Sequence, residues 1–514
     1  MKSKIALVFL VIVSFALYAA TIRGMVGNPL GSEIRYNLDQ ASQPFELSPE
    51  RGRYLLVLSL AEDKSFSLSK ELADAAYPDD GYYKGKYYIY FAPGVSMYAL
   101  PFYYLFKPFG LAQVGTYAFV SIIAILNLCL LYIISRQVFK MPIWASLLSG
   151  LIFGFATTSW SYAITLYQHQ FTVFFILLGF YSVWRYRLRT KFSWVWALVT
   201  WTGYALSIFV DYPNAFLLLP VMIYLLISAL KVRVENQTLE FDLRVSVLTT
   251  AVLFAVITFI HGYYNTVHFG SPLRVSGALV GHKYIVENGL ENAPNIDEAI
   301  KKAASDKDPV SFFNLKYVSF GLYTLFVAPD RGLFRYVPLF VLIFPGLYLL
   351  WKKHHLETKI LLGTIGVTVL LYTMWDDPWG GWAYGPRYLI PIMAIFAIAV
   401  AYWASSEGKT LLKRIVTFVL LFPSVGLALL GAVTTNAIPP EVEGRQLDIG
   451  YTFMRNIEFL QKNRGGSLVY NTLFSHNSLM TYFLLLFTLV MVIFFVVLFV
   501  LPDQKISQRF KGAK

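Results

Sequence analysis

The sequence predicts an all-α, polytopic membrane protein of about twelve transmembrane helices, with a long first non-cytoplasmic loop that carries interfacial helices. Three observations carry this expectation. Of the 514 residues, 57% are hydrophobic and only 14% charged, and the mean hydropathy is +0.55; a soluble chain holds about 25% charged residues. Apolar runs recur from end to end, many near the roughly 20 residues that cross a hydrocarbon core. Lysine and arginine collect in every second loop, as membrane insertion requires.

In order, the spans fall near 4–22, 113–135, 143–163, 171–186, 193–210, 215–230, 246–263, 337–351, 360–375, 388–404, 415–434 and 480–501. The first follows Lys2 and Lys4 and ends in Leu17-Tyr18-Ala19-Ala20, which resembles a signal-cleavage site. Its length suits an uncleaved span, and on either reading the next segment is delivered outside. The inner loops then carry Arg136 and Lys140; Arg185, Arg187, Arg189 and Lys191; Lys231, Arg233 and Arg244; Lys352, Lys353 and Lys359; and Lys409, Lys413 and Arg414. The tail adds Lys505, Arg509, Lys511 and Lys514. The short outer loops 164–170 and 211–214 have no Lys or Arg, and 376–387 has only Arg387. Both termini are therefore expected in the cytoplasm of a cell whose inner membrane the chain spans. This placement also accounts for the net charge of +13 without nucleic acid.

Three outer segments are long: 23–112, 264–336 and 435–479. Residues 1–434 are expected to form one transmembrane catalytic module, and 435–514 to supply the third outer loop, the last span and the basic tail. The aromatic stretch Tyr87 to Gly110 is broken by Pro93, Pro101 and Pro108. It reads as interfacial or re-entrant helix, as does Tyr317 to Val327. The single cysteine, Cys129, lies in an apolar run and forms no intramolecular disulfide. No CxxC or His-x-x-x-His pattern is present, so neither a metal nor a cofactor is expected.

Polar residues near a membrane are costly and mark candidate sites. The densest stretch is Trp375-Asp376-Asp377-Pro378-Trp379-Gly380-Gly381-Trp382-Ala383-Tyr384-Gly385-Pro386-Arg387-Tyr388. Glycine and proline define its path, and Trp379, Trp382 and Tyr384 offer apolar faces with polar edges. Arg387 presents a fork suited to phosphate or carboxylate. The plainer reading is an aromatic belt with an ion pair from Asp376 or Asp377 to Arg387. The first outer segment holds Ser48-Pro49-Glu50-Arg51-Gly52-Arg53-Tyr54, then Asp79 and Asp80, then Tyr87-Tyr88. A carboxyl group beside an apolar surface has a raised pKa, which suits a general base. Glu50, Asp79 and Asp80 are the candidates, against the plain alternative of solvated acids. His169 and Asp211 sit at span ends, where capping competes with function. Arg331 precedes the eighth span. His354 and His355, in an inner loop, read as solvated or headgroup-facing.

At these residues the chain resembles the bacterial GT-C class of integral-membrane glycosyltransferases, in the branch related to protein O-mannosyltransferases and aminoarabinose transferases. The resemblance lies in Glu50-Arg51-Gly52-Arg53-Tyr54, Lys86-Tyr87-Tyr88 with Pro93-Gly94 and Pro101, Arg331-Gly332-Leu333, and Tyr384-Gly385-Pro386-Arg387-Tyr388. It departs where relatives carry Asp or Asp-Glu in the first motif, and Glu33-Ile34-Arg35-Tyr36 competes with that motif. The resemblance implies a polyprenyl-phosphate sugar donor and an inverting displacement on the outer face. The acceptor would be a glycan, lipid or protein. Glu50, Asp79 or Asp80 would be the base. Arg387, with Arg331 or His169, would hold the departing phosphate. Arg53, Tyr88, Asp211, Trp379, Trp382 and Tyr384 would line the substrate. Two other readings fit the composition: a transporter or lipid-linked sugar flippase, and a polysaccharide ligase or polymerase. A transporter would place its polar residues at mid-membrane in repeated halves; here they gather at one face.

Overall fold

A computed structural model describes residues 2–34, 44–235, 238–303 and 313–502. Lys505, Arg509, Lys511 and Lys514 of the tail, Arg35 and Tyr36 of the competing acidic motif, and the side chains of Lys231 and Arg233 lie outside the described residues.

The described residues are mainly helical. Among them, eight helices are long and apolar enough to cross a membrane: Ser3–Thr21, Ala112–Gln137, Ser193–Val210, Val245–Phe269, His355–Thr373, Arg387–Ser405, Thr410–Val433 and Leu479–Val500. The other expected spans are shorter, interrupted or more polar. The segment 143–163 is the helix Ile143–Phe155, a break at 156–158, and the short helix Ser159–Ala163. Thr157 stabilises the break: its hydroxyl donates to the Phe153 carbonyl (2.7 Å) and accepts from the Ser159 amide (3.2 Å). The segment 337–351 opens as a 3-10 helix, Pro338–Leu342, and continues as Ile343–Lys353. The helix His169–Arg187 carries His169 at its start and Arg185 and Arg187 in its last turn.

The helix Ile390–Ser405 occupies the centre and packs against Ile143–Phe155 and Ile343–Lys353. Its small residues Ala394, Ala397, Ala399 and Ala401 are fully buried. In lipid, helices gain little from the hydrophobic effect, so close backbone approach supplies the association energy. Gly346 lies directly on this seam, where a Cβ would stand 2.2 Å from the Ala399 carbonyl oxygen. The helix Val245–Phe269 is peripheral and turns most of its apolar surface outward.

The first outer segment caps one end of the bundle. Its helix Ser48–Leu58 is buried along nearly its whole length. A hairpin, Asp80–Tyr83 with Lys86–Ile89, turns on Lys84 and Gly85, both at positive φ, as a two-residue type I′ turn demands. The strand Val280–Gly281 of the second long segment adds to it antiparallel. Tyr87 to Gly110 thus begins in a strand and continues as the helix Gly94–Phe106. At about 1.5 Å per residue that helix spans about 20 Å, short of the roughly 30 Å core. The helix Val318–Phe326 is shorter still.

Gly346→Leu is expected to destabilise the central seam by about 1–3 kcal/mol or more. A detergent thermal-unfolding midpoint equal to wild type would show that the helices separate there at no cost.

Candidate active site

The helix Ser48–Leu58 begins the site. Proline is favoured in a first turn, where its missing N–H is no loss, and Pro49 sits there. Glu50 follows at the third helical position and reaches back to the Leu47 N–H. This half of a capping box aims the carboxylate at the helix start and the positive end of its dipole. Glu50 is 1% exposed. One of its oxygens accepts from the Thr165 hydroxyl, and Oε1 has no hydrogen-bond partner. Burial and the Glu46 carboxylate push the Glu50 pKa up to about 7, against Arg23. A carboxyl group raised in this way is suited to take or give a proton near neutrality.

Arg53 stands one turn further on the same helix face. It is buried, donates to the Pro49 carbonyl (2.9 Å), and rests 4.3 Å from the Phe91 ring and 5.8 Å from the Tyr167 ring. Burial lowers its pKa to about 10, opposed by Asp211, so it remains a cation at neutral pH. Arg387 approaches the same tyrosine from the Trp-rich loop, 5.6 Å from Tyr167 and 5.5 Å from Tyr388. The loop admits it because Gly380 and Gly381 both adopt positive φ; a Cβ on Gly380 would stand 2.8 Å from the Arg387 Nε. Asp377 holds this turn through the Gly381 N–H (2.8 Å). His169 lies with its ring 5.9 Å from Tyr167 and 5.5 Å from Tyr162. Asp211 ends the helix Ser193–Val210 beside the first segment, because Gly94 lets the two backbones meet: a Cβ there would lie 2.4 Å from the Phe209 carbonyl. Burial raises the Asp211 pKa to about 6, against Arg53, Gln168 and Arg387.

Tyr167 is thus the hub of a cluster drawn from four separate parts of the chain. Around it, Glu50 Oε1, Arg53 Nε, Tyr167 Oη, Gln168 Oε1, His169 Nε2 and Arg387 Nε are buried without a hydrogen-bond partner. Each such group costs about 1–3 kcal/mol when left unpaired, so their concentration marks a place built to receive polar atoms.

The other expected residues are placed differently. Asp79 accepts from the Ser48 hydroxyl (2.5 Å) at the start of the Glu50 helix, and its charge reaches Arg53. Asp80 is buried against His282 Nδ1 (3.0 Å), within a group that also holds Lys70 and Glu291. Its pKa is raised by burial, and His282 opposes the rise. Arg331 spends its guanidinium on four carbonyls, those of Trp379, Asp330, Gly381 and Ile438. It fastens the Trp-rich loop rather than facing the cluster. Tyr384 is fully buried, with its hydroxyl on the Leu427 carbonyl (2.6 Å). The Trp382 indole donates to Glu443 (2.5 Å), and Trp379 packs on Phe320. Tyr88 sits in a separate aromatic cluster with His268 and Phe269.

Two residues that sequence reasoning missed support the cluster. Arg23 and Glu46 form a fully buried ion pair. Arg23 also donates to the Gly431 and Thr434 carbonyls (3.0 and 3.1 Å), and Glu46 accepts from the Thr435 hydroxyl (2.6 Å) and the Asn436 amide. The signal was present: Arg23 directly follows the first span on the side where basic residues are disfavoured. Thr165 carried no such mark.

Arg23→Met leaves Glu46 buried and uncompensated, which is expected to cost about 3–5 kcal/mol, with most of the loss recovered in Arg23→Met/Glu46→Gln. Thermal unfolding of both variants measures the difference. Glu50 predicts a pH dependence of the opposite kind. Its folded pKa lies above its unfolded one, so its contribution is most favourable at low pH and is lost as pH rises through about 4.3 to 7. Glu50→Gln is therefore expected to be more stable than wild type at pH 8, by up to about 3 kcal/mol, and to show no gain at pH 4. A variant less stable than wild type at pH 8 would refute this environment for Glu50.

No family model matches the chain, and no curated protein matches it. Among solved structures, the chain is similar to ArnT from Cupriavidus metallidurans bound to undecaprenyl phosphate. That likeness has 11% identity and a TM-score of 0.48, and covers 98% of this chain and 78% of that one. The apo state of the same protein gives 12% identity, 97% and 76% coverage, and a TM-score of 0.48. The archaeal oligosaccharyltransferase AglB from Archaeoglobus fulgidus, in complex with an inhibitory peptide and a dolichol-phosphate, gives 13% identity and a TM-score of 0.46. There the likeness covers 86% of this chain and 57% of that one.

Proposed function

We propose that this protein is a membrane glycosyltransferase that moves a sugar from a polyprenyl-phosphate donor to an acceptor on the outer face of the cytoplasmic membrane. One observation carries the reading. A buried carboxyl group with a raised pKa and one oxygen free, and two arginines, are gathered about Tyr167. Acid and cations of this kind suit a reaction in which a hydroxyl or amine loses a proton while a phosphate departs.

Glu50 Oε1 takes the proton from the acceptor. The acceptor atom forms its bond to the anomeric carbon as the bond from that carbon to the phosphate oxygen breaks. The electron pair leaves on the phosphate, where negative charge grows in the transition state. Arg387 and Arg53 face that charge, and His169 adds a neutral donor beside them. Asp211 keeps the two guanidiniums from repelling each other. A single displacement needs one carboxylate base and inverts the anomeric centre. The cluster's place at the ends of apolar helices suits a donor whose prenyl chain stays in lipid. The distribution of Lys and Arg favours the non-cytoplasmic side for this end.

The test uses the full chain in lipid nanodiscs with short radiolabelled polyprenyl-phosphate hexoses and pentoses. Arg387→Ala is expected to weaken binding of one donor at least about tenfold, as loss of a charge-assisted contact does. Glu50→Gln is expected to bind that donor but lose about 10²–10⁴ of its slow turnover, as removal of a general base does. Wild-type turnover should climb with pH and level off above about 7, because the base acts deprotonated. Turnover of Glu50→Gln within twofold of wild type, or a pH-independent rate, would remove Glu50 from the role. Failure of a well-folded sample to bind any lipid-linked sugar would sink the whole reading.

A further inference from the structure

The two long outer segments meet at a group of titratable side chains apart from the candidate active site. The second segment lies on the first through the strand Val280–Gly281, which pairs only with Tyr82 and Gly81. That ladder is short, so side chains contribute much of the contact. His282, which opens the helix His282–Glu287, is the central one. Its ring is buried, 4.8 Å from the Tyr87 ring and 5.7 Å from the Tyr77 ring. Nδ1 lies 3.0 Å from Asp80 Oδ2. Nε2 lies 3.2 Å from Lys70 Nζ, 3.5 Å from Glu291 and 3.8 Å from Asp74. Lys70 itself bonds to Asp74 (2.6 Å) and Glu291 (3.1 Å). Lys283 and Glu287, on the helix of the histidine, pair with each other at 3.7 Å.

The group has two arrangements. With the imidazole neutral, Nδ1–H donates to Asp80 and Nε2 accepts from Lys70. With it charged, both ring nitrogens donate, Nδ1 to Asp80 and Nε2 to Glu291 or Asp74, and Lys70 keeps only its carboxylates. Asp80 favours the charged form. It is fully buried, its Oδ1 has no hydrogen-bond partner, and His282 is the side chain bonded to it. Loss of the proton leaves that carboxylate uncompensated. Burial lowers the His282 pKa, but the Asp80 bond and charge outweigh it, and the net direction is upward. Burial raises the pKa of Asp80, against His282, and the Lys70 bond lowers that of Glu291. The His282 contribution is therefore complete below its ordinary pKa of about 6.5 and is lost as pH rises through the higher folded value. Asp80 acts in the same sense. Glu291 acts in the opposite sense, its contribution being lost only in more acid solution, as pH falls through its lowered pKa.

This contact reaches the candidate active site from two sides. Asp79, next to Asp80, accepts from Ser48 at the start of the Glu50 helix. Ser276 of the second segment meets the Tyr212 hydroxyl (3.1 Å) and donates to the Tyr90 carbonyl (3.0 Å), and Tyr212 directly follows Asp211.

We propose that His282 and Asp80 form a proton-operated clasp that fastens the second long outer segment to the first, closed while the imidazole is charged and looser once it is neutral. The inference does not depend on the proposed glycosyl transfer.

Hydrogen–deuterium exchange of the full chain in detergent tests the clasp. Peptides over 79–90 and 276–290 are followed from about pH 5.5 to about pH 8.5, where a histidine titrates, with rates corrected for the intrinsic pH dependence of amide exchange. In wild type both peptides are expected to lose at least about threefold in protection across this range, while a peptide from the helix Ile390–Ser405 keeps its protection. Two variants move the midpoint in opposite directions. Lys70→Gln removes a cation beside Nε2 and leaves it two carboxylates, so the midpoint rises; Glu291→Gln removes a carboxylate, so it falls. Both side chains reach solvent, and the thermal midpoint verifies that the variants fold. A contact that only packs would lose protection in these variants with no such shift. His282→Gln is expected to abolish the pH dependence; should it fail to fold, the two solvent-reaching variants decide. Wild-type protection that does not change with pH, a dependence that persists in folded His282→Gln, or midpoints that stay in place or move the other way in Lys70→Gln and Glu291→Gln, overturns the proposal.

Discussion

The arrangement at the functional end depends on the buried ion pair between Arg23 and Glu46. Arg23 follows the first helix, Glu46 precedes the helix Ser48–Leu58, and both are bonded to the end of the helix Thr410–Val433 and the residues after it. The pair thereby ties the start of the chain to a segment 389 to 411 residues further on. Desolvating two charges is expensive, and it is offset only because nearly every remaining donor and acceptor of the pair finds a partner. The pair contributes position more than stability: it sets where the helix Ser48–Leu58 begins, and so where Glu50 points.

The same pair divides the labour between two carboxylates. Glu46 has an arginine and two further donors. Glu50, four residues on, has one hydroxyl, its own helix start, and the negative charge of Glu46 beside it. Unequal surroundings of this kind give one acid a full set of partners and leave its neighbour with a raised pKa. Arg331 and Arg387 show the parallel division among the cations. Arg331 is consumed by carbonyls and fastens the Trp-rich loop. Arg387, carried by that fastened loop, keeps an open Nε and faces Tyr167.

The two ends of the bundle differ in how they treat polar groups. At the functional end, charges are buried, and the interrupted helices leave backbone turns on which Thr165, Tyr167 and His169 are mounted. At the far end, Lys140 and Lys352 are exposed and rest on the rings of Trp184 and Tyr348. One central helix, made mostly of small and branched apolar residues, runs from one to the other. Its close packing makes it a rigid spacer, because the seam at Gly346 leaves no room for the helices to slide apart.

Much was legible without the tertiary structure. Hydrophobic length and charge alternation depend on the membrane rather than on distant residues, so the helices, the long first outer segment and the short helices at Gly94–Phe106 and Val318–Phe326 followed from local sequence. His169 and Asp211 stood out as polar groups at span ends, Arg387 within the Trp-rich loop, and Glu50 and Arg53 within the first outer segment. Local sequence did not reveal which of the three acids would be isolated and which paired: Asp80 faces His282 across 202 positions of sequence. Nor did it reveal that Arg331 and Tyr384 would turn into the packing, or that Tyr167 would gather two arginines. Composition and hydropathy are sums over neighbours along the chain, and they determine what enters the membrane. Partnering is decided by which helix ends meet in space, and for a buried charge the partner, not the residue type, determines whether it holds the fold or remains free to react.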